Sequence, residues 1–161
     1  MPTVEAPRIE LLRAGSPLVE TIVRWHWQEW SRDHDDSDFD RWRAVVGRRT
    51  NPERVPFTLV AHLGDEPVGC LSVCDDEVDE RFAEFGPWLS GTLVIGRARN
   101  LGVGRALVRA AETTARAMAV PELWLWTDTA GPFYERCGWE YMAPKVHLQD
   151  HAVMRRECGA R

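Results

Sequence analysis

The stretch WLSGTLVIGRARNLGVGRALVRAAETTARA, residues 88–117, contains the pattern that decides the fold of this chain. Residues 88–94 have the apolar character of a buried strand, and the residues after Gly104 repeat apolar side chains at helical spacing. The apolar face of that helix comprises Leu107, Val108, Ala111 and Ala115. Between strand and helix lies Arg99-x-x-Gly102-x-Gly104, so the stretch predicts a glycine-containing loop where the helix begins.

This junction between strand and helix is a candidate anion site. The first N–H groups of a helix have no partner within it, and the helix dipole places about half a positive charge there. Glycine allows close approach of the backbone to a ligand, and Arg97, Arg99 and Arg105 add guanidinium groups suited to phosphate. The same pattern also occurs in ordinary turns between strands and helices, so the rest of the chain must decide between the two interpretations.

Composition limits the class of protein. A length of 161 residues suits one domain with a sizeable core, and a net charge of −5 argues against nucleic acid as the main partner while leaving cationic substrates open. No apolar run approaches the ~20 residues of a membrane span. The four cysteines show no C-x-x-C spacing and no apolar leader precedes them, so we expect a cytoplasmic protein with reduced thiols and no metal site.

Patterns on both sides of the central stretch indicate a mixed α/β chain. Ser16 and Pro17 are typical of a helix start, and an apolar face continues to Trp30. Thr129 is expected to cap a short helix that ends at Gly138. The predicted strands are 8–13, 57–63, 68–74, 88–94, 122–127, 139–143 and 151–155.

The segment Ser31–Asp40 is strongly acidic and allows two interpretations. It is either a solvated connection whose aspartates cap a helix around Trp42–Val46, or a surface that presents carboxylates to an amine-bearing substrate. The tryptophans nearby fit either a core or the wall of a pocket. They are Trp25, Trp27, Trp30 and Trp42.

The order of these elements, together with RNLGVG at 99–104 and FYERCGW at 133–139, resembles the GCN5-related N-acetyltransferase (GNAT) superfamily over nearly the whole chain. The resemblance implies one α/β domain over residues 1–161. Its central sheet would be mixed and mostly antiparallel, with six to seven strands that splay apart between strands 4 and 5 and about four flanking helices. The fourth strand would carry a bulge.

The resemblance also implies acetyl-CoA as the acyl donor. Amides from Asn100 to Arg105 would cradle its pyrophosphate, and the Val94 N–H would stabilise the thioester oxygen. Thr127 stands where many members have Asn. The residues expected to contact the donor are Leu93, Val94, Arg99, Asn100, Leu101, Gly102, Val103, Gly104, Arg105, Thr127, Thr129, Pro132, Phe133 and Arg136.

The candidate catalytic residues divide into an acid and a base. Tyr134 matches the tyrosine of the family that protonates the departing thiolate. The bulged strand offers only Ser90 and Thr92, whereas many members have Glu or His there. Either water relays the proton from the amine, or a carboxylate from the preceding loop accepts it. The candidates are Glu84, Asp76 and Asp75.

The leading hypothesis is an N-acetyltransferase that acts on the primary amine of a small molecule, such as a metabolite or an antibiotic. Its acceptor cleft is expected to include Trp27, Trp30, Asp75 and Trp88. A protein N-terminus or lysine is the alternative acceptor, and a module that senses acyl-CoA without turnover is the alternative of another class. A monomer or a homodimer is expected, without nucleic acid or membrane as partner.

Overall fold

The computed structural model of the protein describes residues 3, 5–76, 82–142, 147–148 and 151–159. Its strands are β1 (Arg8–Leu11), β2 (Phe57–Leu63), β3 (Glu66–Cys74), β4 (Trp88–Val94), β5 (Glu122–Thr127), β6 (Glu140–Tyr141), β7 (His147–Leu148) and β8 (His151–Glu157). Its helices are α1 (Leu18–Trp30), α2 (Asp36–Gly47), α3 (Val103–Ala117) and α4 (Gly131–Arg136).

The strands form one mixed sheet in the order β1-β2-β3-β4-β5-β8-β6. Every pairing is antiparallel except the one between β4 and β5. The strand beyond the expected six to seven is β7, which pairs with the first part of β8 while β6 pairs with the next part. The predicted α/β fold with a mostly antiparallel sheet and four helices is therefore confirmed.

The sheet opens between β4 and β5, as predicted. These strands pair in register at a single position, Trp88 with Trp124. The bulge lies in β4, because Cys70 pairs with Leu93 and Ser72 pairs with Ser90. Residues 91 and 92 thus oppose one residue of β3, and Gly91 takes the positive φ of 62° that the bulge requires.

The two faces of the sheet carry separate cores, because successive side chains of a strand point to opposite faces. On β3, Leu71 packs with Leu107 and the rest of the apolar face of α3, whereas Cys70 packs with Ile22 of α1. Tyr134 belongs to the core on the α3 face. The sheet therefore separates a face covered by α3 from a face covered by α1 and α2, and the gap between β4 and β5 lies between the two.

Two helix starts differ from the predictions. The helix expected around Trp42 begins six residues earlier, at Asp36, because the Asp35 carboxylate caps it by accepting the Asp38 N–H at 2.9 Å. The prediction that Thr129 caps the short helix is wrong. Helix α4 begins at Gly131, and the Thr127 hydroxyl accepts the Ala130 N–H at 3.1 Å instead.

Candidate active site

A cavity of about 520 Å³ opens where β4, the loop before α3 and α4 meet. The bulged strand contributes Thr92, Leu93 and Val94 to its wall, and α4 contributes Phe133 and Tyr134. The loop and the start of α3 contribute Arg99, Asn100, Gly102, Val103, Gly104 and Arg105. The structure therefore brings the two sequence motifs to one cavity.

The start of α3 presents free backbone amides to this cavity. The helix has no side-chain cap, and its first hydrogen bond runs from the Ala106 N–H to the Gly102 carbonyl. The amides of Val103, Gly104 and Arg105 therefore precede the first acceptor within the helix. Such amides, at the positive end of the dipole of a 15-residue helix, suit a phosphate group.

The two glycines of the loop serve different geometric purposes. Gly102 has a φ of 80°, which residues with a side chain rarely adopt, and a Cβ there would meet no described atom within 4 Å. At Gly104, a Cβ would lie 3.4 Å from the Phe133 ring. Gly102 thus permits the turn, and Gly104 keeps the space between the helix start and Phe133 open.

The loop is tied to the bulged strand by an arginine. Arg99 donates from Nε to the Val94 carbonyl at 3.2 Å, and the residue also lines the cavity. Val94 and Leu93 pair with β3 on one side, while the register pairing of β4 with β5 stops at Trp88. The edge of β4 at Leu93 and Val94 therefore faces the opening of the sheet.

Tyr134, on α4, also lines the cavity. Its side chain is 8% exposed and makes a hydrogen bond with the Thr92 side chain. Burial raises the pKa of Tyr134 above its ordinary value of 10, and the hydrogen bond with Thr92 offsets part of that rise. The phenol is therefore protonated at neutral pH where it lines the cavity.

The family model named Acetyltransferase (GNAT) family matches residues 19–139, which include both motifs of the cavity. The chain belongs to the GNAT acetyltransferase family. It is therefore an acyltransferase. No curated protein matches the sequence.

Solved structures of GNAT enzymes share the fold at low sequence identity. An aminoglycoside 6'-N-acetyltransferase complexed with coenzyme A has a TM-score of 0.73 at 16% identity, with 96% of this chain and 98% of that chain covered. The aminoglycoside 6'-N-acetyltransferase from Enterococcus faecium has a TM-score of 0.70 at 18% identity, with the same coverage of 96% and 98%. An acetyltransferase of the GNAT family from Staphylococcus aureus Mu50 has a TM-score of 0.66 at 15% identity, covering 96% and 100%.

Behind the GNAT bulge, His26 of α1 packs against the backbone of β4. A Cβ at Gly91 would lie 3.0 Å from the His26 ring, whose Nε2 is 3.7 Å from Cys70 Sγ. Cys70 in turn donates from Sγ to the Gly91 carbonyl at 3.6 Å. Burial, and then the charge of Arg49, lowers the pKa of His26 to about 4, so the ring is neutral where it supports the bulge.

Several predicted donor contacts lie outside the described cavity lining. Leu101 is 40% exposed on the loop, and Thr127 uses its hydroxyl to bond the Ala130 amide. The side chains of Thr129, Pro132 and Arg136 are exposed around α4. Arg97, a further candidate phosphate ligand, forms an ion pair with Glu66 instead. Contact of these residues with the donor remains a prediction.

The carboxylates proposed as the base also lie elsewhere. Asp75 and Asp76 line a second cavity of about 490 Å³, where Asp76 forms an ion pair with Arg49 at 3.5 Å. Glu84 is exposed on the turn before β4. Ser90 makes a hydrogen bond with the buried Cys74 thiol. The structure therefore places none of these four in the described lining of the Tyr134 cavity.

The predicted acceptor tryptophans have structural partners. Trp27 donates from Nε1 to the Asp35 carbonyl at 3.1 Å, and Trp88 is 2% exposed and donates to the Phe85 carbonyl at 3.2 Å. Trp30 is 43% exposed, with its ring 4.9 Å from that of His26. The structure does not place these three side chains in the described lining of the cavity.

Sequence reasoning missed Glu29, the carboxylate that lines the Tyr134 cavity from α1. Helical spacing was the available signal, because residues three apart lie on the same helix face and Glu29 follows His26 by three. Recognising it required knowing that His26 contacts the bulge.

None of the helices in the described part of the chain could cross a membrane, and the described side chains form no cluster suited to a metal ion.

Proposed function

We propose that the protein transfers the acetyl group of acetyl-CoA to the primary amine of a small molecule. The observation that carries this proposal is the continuous wall of one cavity. It joins the free amides at the start of α3 to the Tyr134 hydroxyl by way of Thr92, Leu93 and Val94. A donor with a diphosphate at one end and a thioester at the other fits this arrangement.

The donor end of the cavity has the chemistry that a diphosphate requires. The amides of Val103, Gly104 and Arg105 would accept phosphate oxygens as hydrogen-bond partners, and Arg99 and Arg105 add positive charge. The open space beside Gly102 supports this fit, since no described side chain fills it. Leu101, Thr127, Thr129, Pro132 and Arg136 would contact the outer parts of coenzyme A.

At the reacting end, the residues of the chain position the thioester and protonate the departing sulfur. Bound acetyl-CoA supplies an activated thioester. The amine nitrogen forms a bond to the carbonyl carbon while the Val94 N–H stabilises the negative charge on oxygen. A charged acceptor first loses one proton to solvent water, so that the neutral amine attacks. As the carbon–sulfur bond breaks, Tyr134 gives its proton to sulfur and is replenished by the second proton that the nitrogen loses as it becomes an amide.

A small cationic acceptor is the substrate class that we favour. The chain carries a net charge of −5, and two of the similar structures are aminoglycoside 6'-N-acetyltransferases.

The four cysteines, Cys70, Cys74, Cys137 and Cys158, are free thiols, which suits the cytoplasm. We propose that the protein works there as a monomer or homodimer.

Release of the coenzyme A thiol in the presence of a panel of amines tests this function. We expect turnover with small primary amines and much less with basic peptides. Turnover that is confined to peptides would replace the small acceptor with a protein one. Tight binding of acetyl-CoA without turnover of any amine or peptide would leave a sensing module and contradict the enzyme.

A further inference from the structure

We infer that Glu29 binds the ammonium group of the acceptor in the cavity that contains Tyr134, so that the acceptor is a cationic amine. This inference rests on the proposed function. It assigns the acceptor side of the site to the last turn of α1 rather than to the acidic loop before β4.

The position of Glu29 follows from how α1 is anchored. His26 is completely buried against Gly91 of the bulge, and Glu29 lies three residues further along the same helix face. Glu29 is itself exposed and lines the cavity together with Thr92 and Tyr134. The contact of His26 with the bulge therefore anchors the helix turn that brings Glu29 to the cavity.

The cavity divides its charges between the two faces of the sheet. Arg99 lies in the loop before α3 and Arg105 in its first turn, and α3 covers one face, whereas Glu29 comes from α1, which covers the other face. Among the described lining residues, Glu29 is the carboxylate, and it is opposite in sign to the donor end. An acceptor that enters from the α1 face would meet this negative charge.

In the described part of the chain, no interaction stabilises a carboxylate at this position. The C-terminal end of a helix dipole is negative, so an acid in the last turn is disfavoured. In the described part of the chain Glu29 forms no ion pair, in contrast to Glu20 on the first turn of α1, which pairs with Arg43 at 2.8 Å. A bound ammonium would supply the missing partner.

The other acids near the site are less suited to the same task. Asp76 already has a cationic partner in Arg49, and with Asp75 it lines the second cavity. Glu84 is on the turn before β4 and outside the described lining. Glu29 is thus the acid whose place in the cavity and lack of a described partner both fit a cationic ligand.

Steady-state kinetics of Glu29→Gln test the inference. Charged acceptors such as putrescine and glucosamine are compared with aniline, which is a neutral amine at pH 7. For the charged acceptors we expect KM to rise at least about tenfold, since the ion pair between carboxylate and ammonium becomes a hydrogen bond to a neutral amide oxygen. We expect kcat to stay within about threefold, as for loss of a ground-state contact, and the KM values for acetyl-CoA and aniline to be unchanged.

Glu20→Gln is the matched control, because it removes the same charge from the same helix outside the described cavity lining. An equal rise in KM in both variants would show a general field effect and overturn the inference. A thermal melt that coincides with wild type would show that Glu29→Gln is folded. Wild-type turnover with an unchanged KM in that variant overturns this inference alone, whereas absence of wild-type turnover with every amine overturns the proposed function as well.

Discussion

The proposed donor end and the proposed acceptor end of the cavity are built in different ways. The donor end consists largely of backbone from one continuous stretch, in which Gly102 sets the turn and the start of α3 supplies the amides. The acceptor end consists of side chains from separate elements, with Glu29 from α1, Thr92 from β4 and Tyr134 from α4. A site built from backbone amides suits one ligand class whatever the side chains are, whereas a site built from side chains can change its acceptor without a change of fold.

Of the variants considered, Tyr134→Phe should have the largest effect, and this effect should be on kcat. Removal of the phenolic proton should lower kcat by about 100-fold, because general acid catalysis contributes on the order of 10² to 10⁴. The dissociation constant of acetyl-CoA, measured by calorimetry, should change less than about twofold. A variant that retains the wild-type kcat would remove the phenol from the reaction.

Gly91→Ala should disturb the boundary between the two ends. The added Cβ would lie 3.0 Å from the buried His26 ring at a φ of 62°, so we expect a loss of about 2 kcal/mol in the free energy of unfolding. Urea denaturation measures this loss. Gly96→Ala is the control, since a Cβ there meets no described atom within 4 Å and the residue has no positive φ. Equal stability of the two variants would contradict the close packing of His26 against the bulge.

Arg99→Ala should weaken coenzyme A binding, because Arg99 lines the cavity at the loop and also donates to the Val94 carbonyl. Loss of a charged hydrogen bond to phosphate should raise the dissociation constant of coenzyme A about tenfold. Arg97→Ala is the matched control, because Arg97 pairs with Glu66 and is outside the described lining of the cavity. An equal or larger effect of Arg97→Ala would move the phosphate site away from the loop at Arg99.

The smallest expected effect is a pH dependence of stability from His26. Its pKa is about 4 in the folded protein against an ordinary value of 6.5, so the unfolded chain binds more protons between these values. The neutral ring makes its full contribution to the free energy of unfolding above pH 6.5, and this contribution is lost as the pH falls toward 4. Cys70 stays neutral over this pH range because burial raises the pKa of its thiol to about 12.

Urea titrations of wild type and His26→Gln at several pH values isolate this contribution. Between about pH 7 and pH 5.5, the free energy of unfolding of wild type should fall by about 1 kcal/mol more than that of the variant. Parallel losses in the two proteins would mean that the ring is protonated without cost and does not need to be neutral behind the bulge.

The contrast between the two ends also explains how much the sequence could predict. The strand, the glycine loop and α3 follow from local patterns, since hydrophobic periodicity and the glycine positions act within one stretch. The splay at Trp88 and the bulge at Gly91 came from the resemblance to the GNAT superfamily and are confirmed. Aspartate capping of α2 was one of the two interpretations of the acidic segment and is the one that the structure shows, although the helix begins earlier than expected.

The acceptor end could not be predicted in the same way. Asp75, Asp76 and Glu84 are close in sequence to β4, but the chain turns Asp76 toward Arg49 instead. Glu29 is far from β4 in sequence and reaches the cavity through the long-range packing of α1 on the bulge. Local patterns contain no information about such a contact, because it depends on which helix face meets which strand.

A crystal structure with coenzyme A tests the central claim most directly. We predict that a diphosphate oxygen accepts a hydrogen bond from the Gly104 N–H and that the sulfur lies within hydrogen-bond reach of the Tyr134 hydroxyl. Coenzyme A bound away from the start of α3, or a sulfur that Tyr134 cannot reach, would contradict the account.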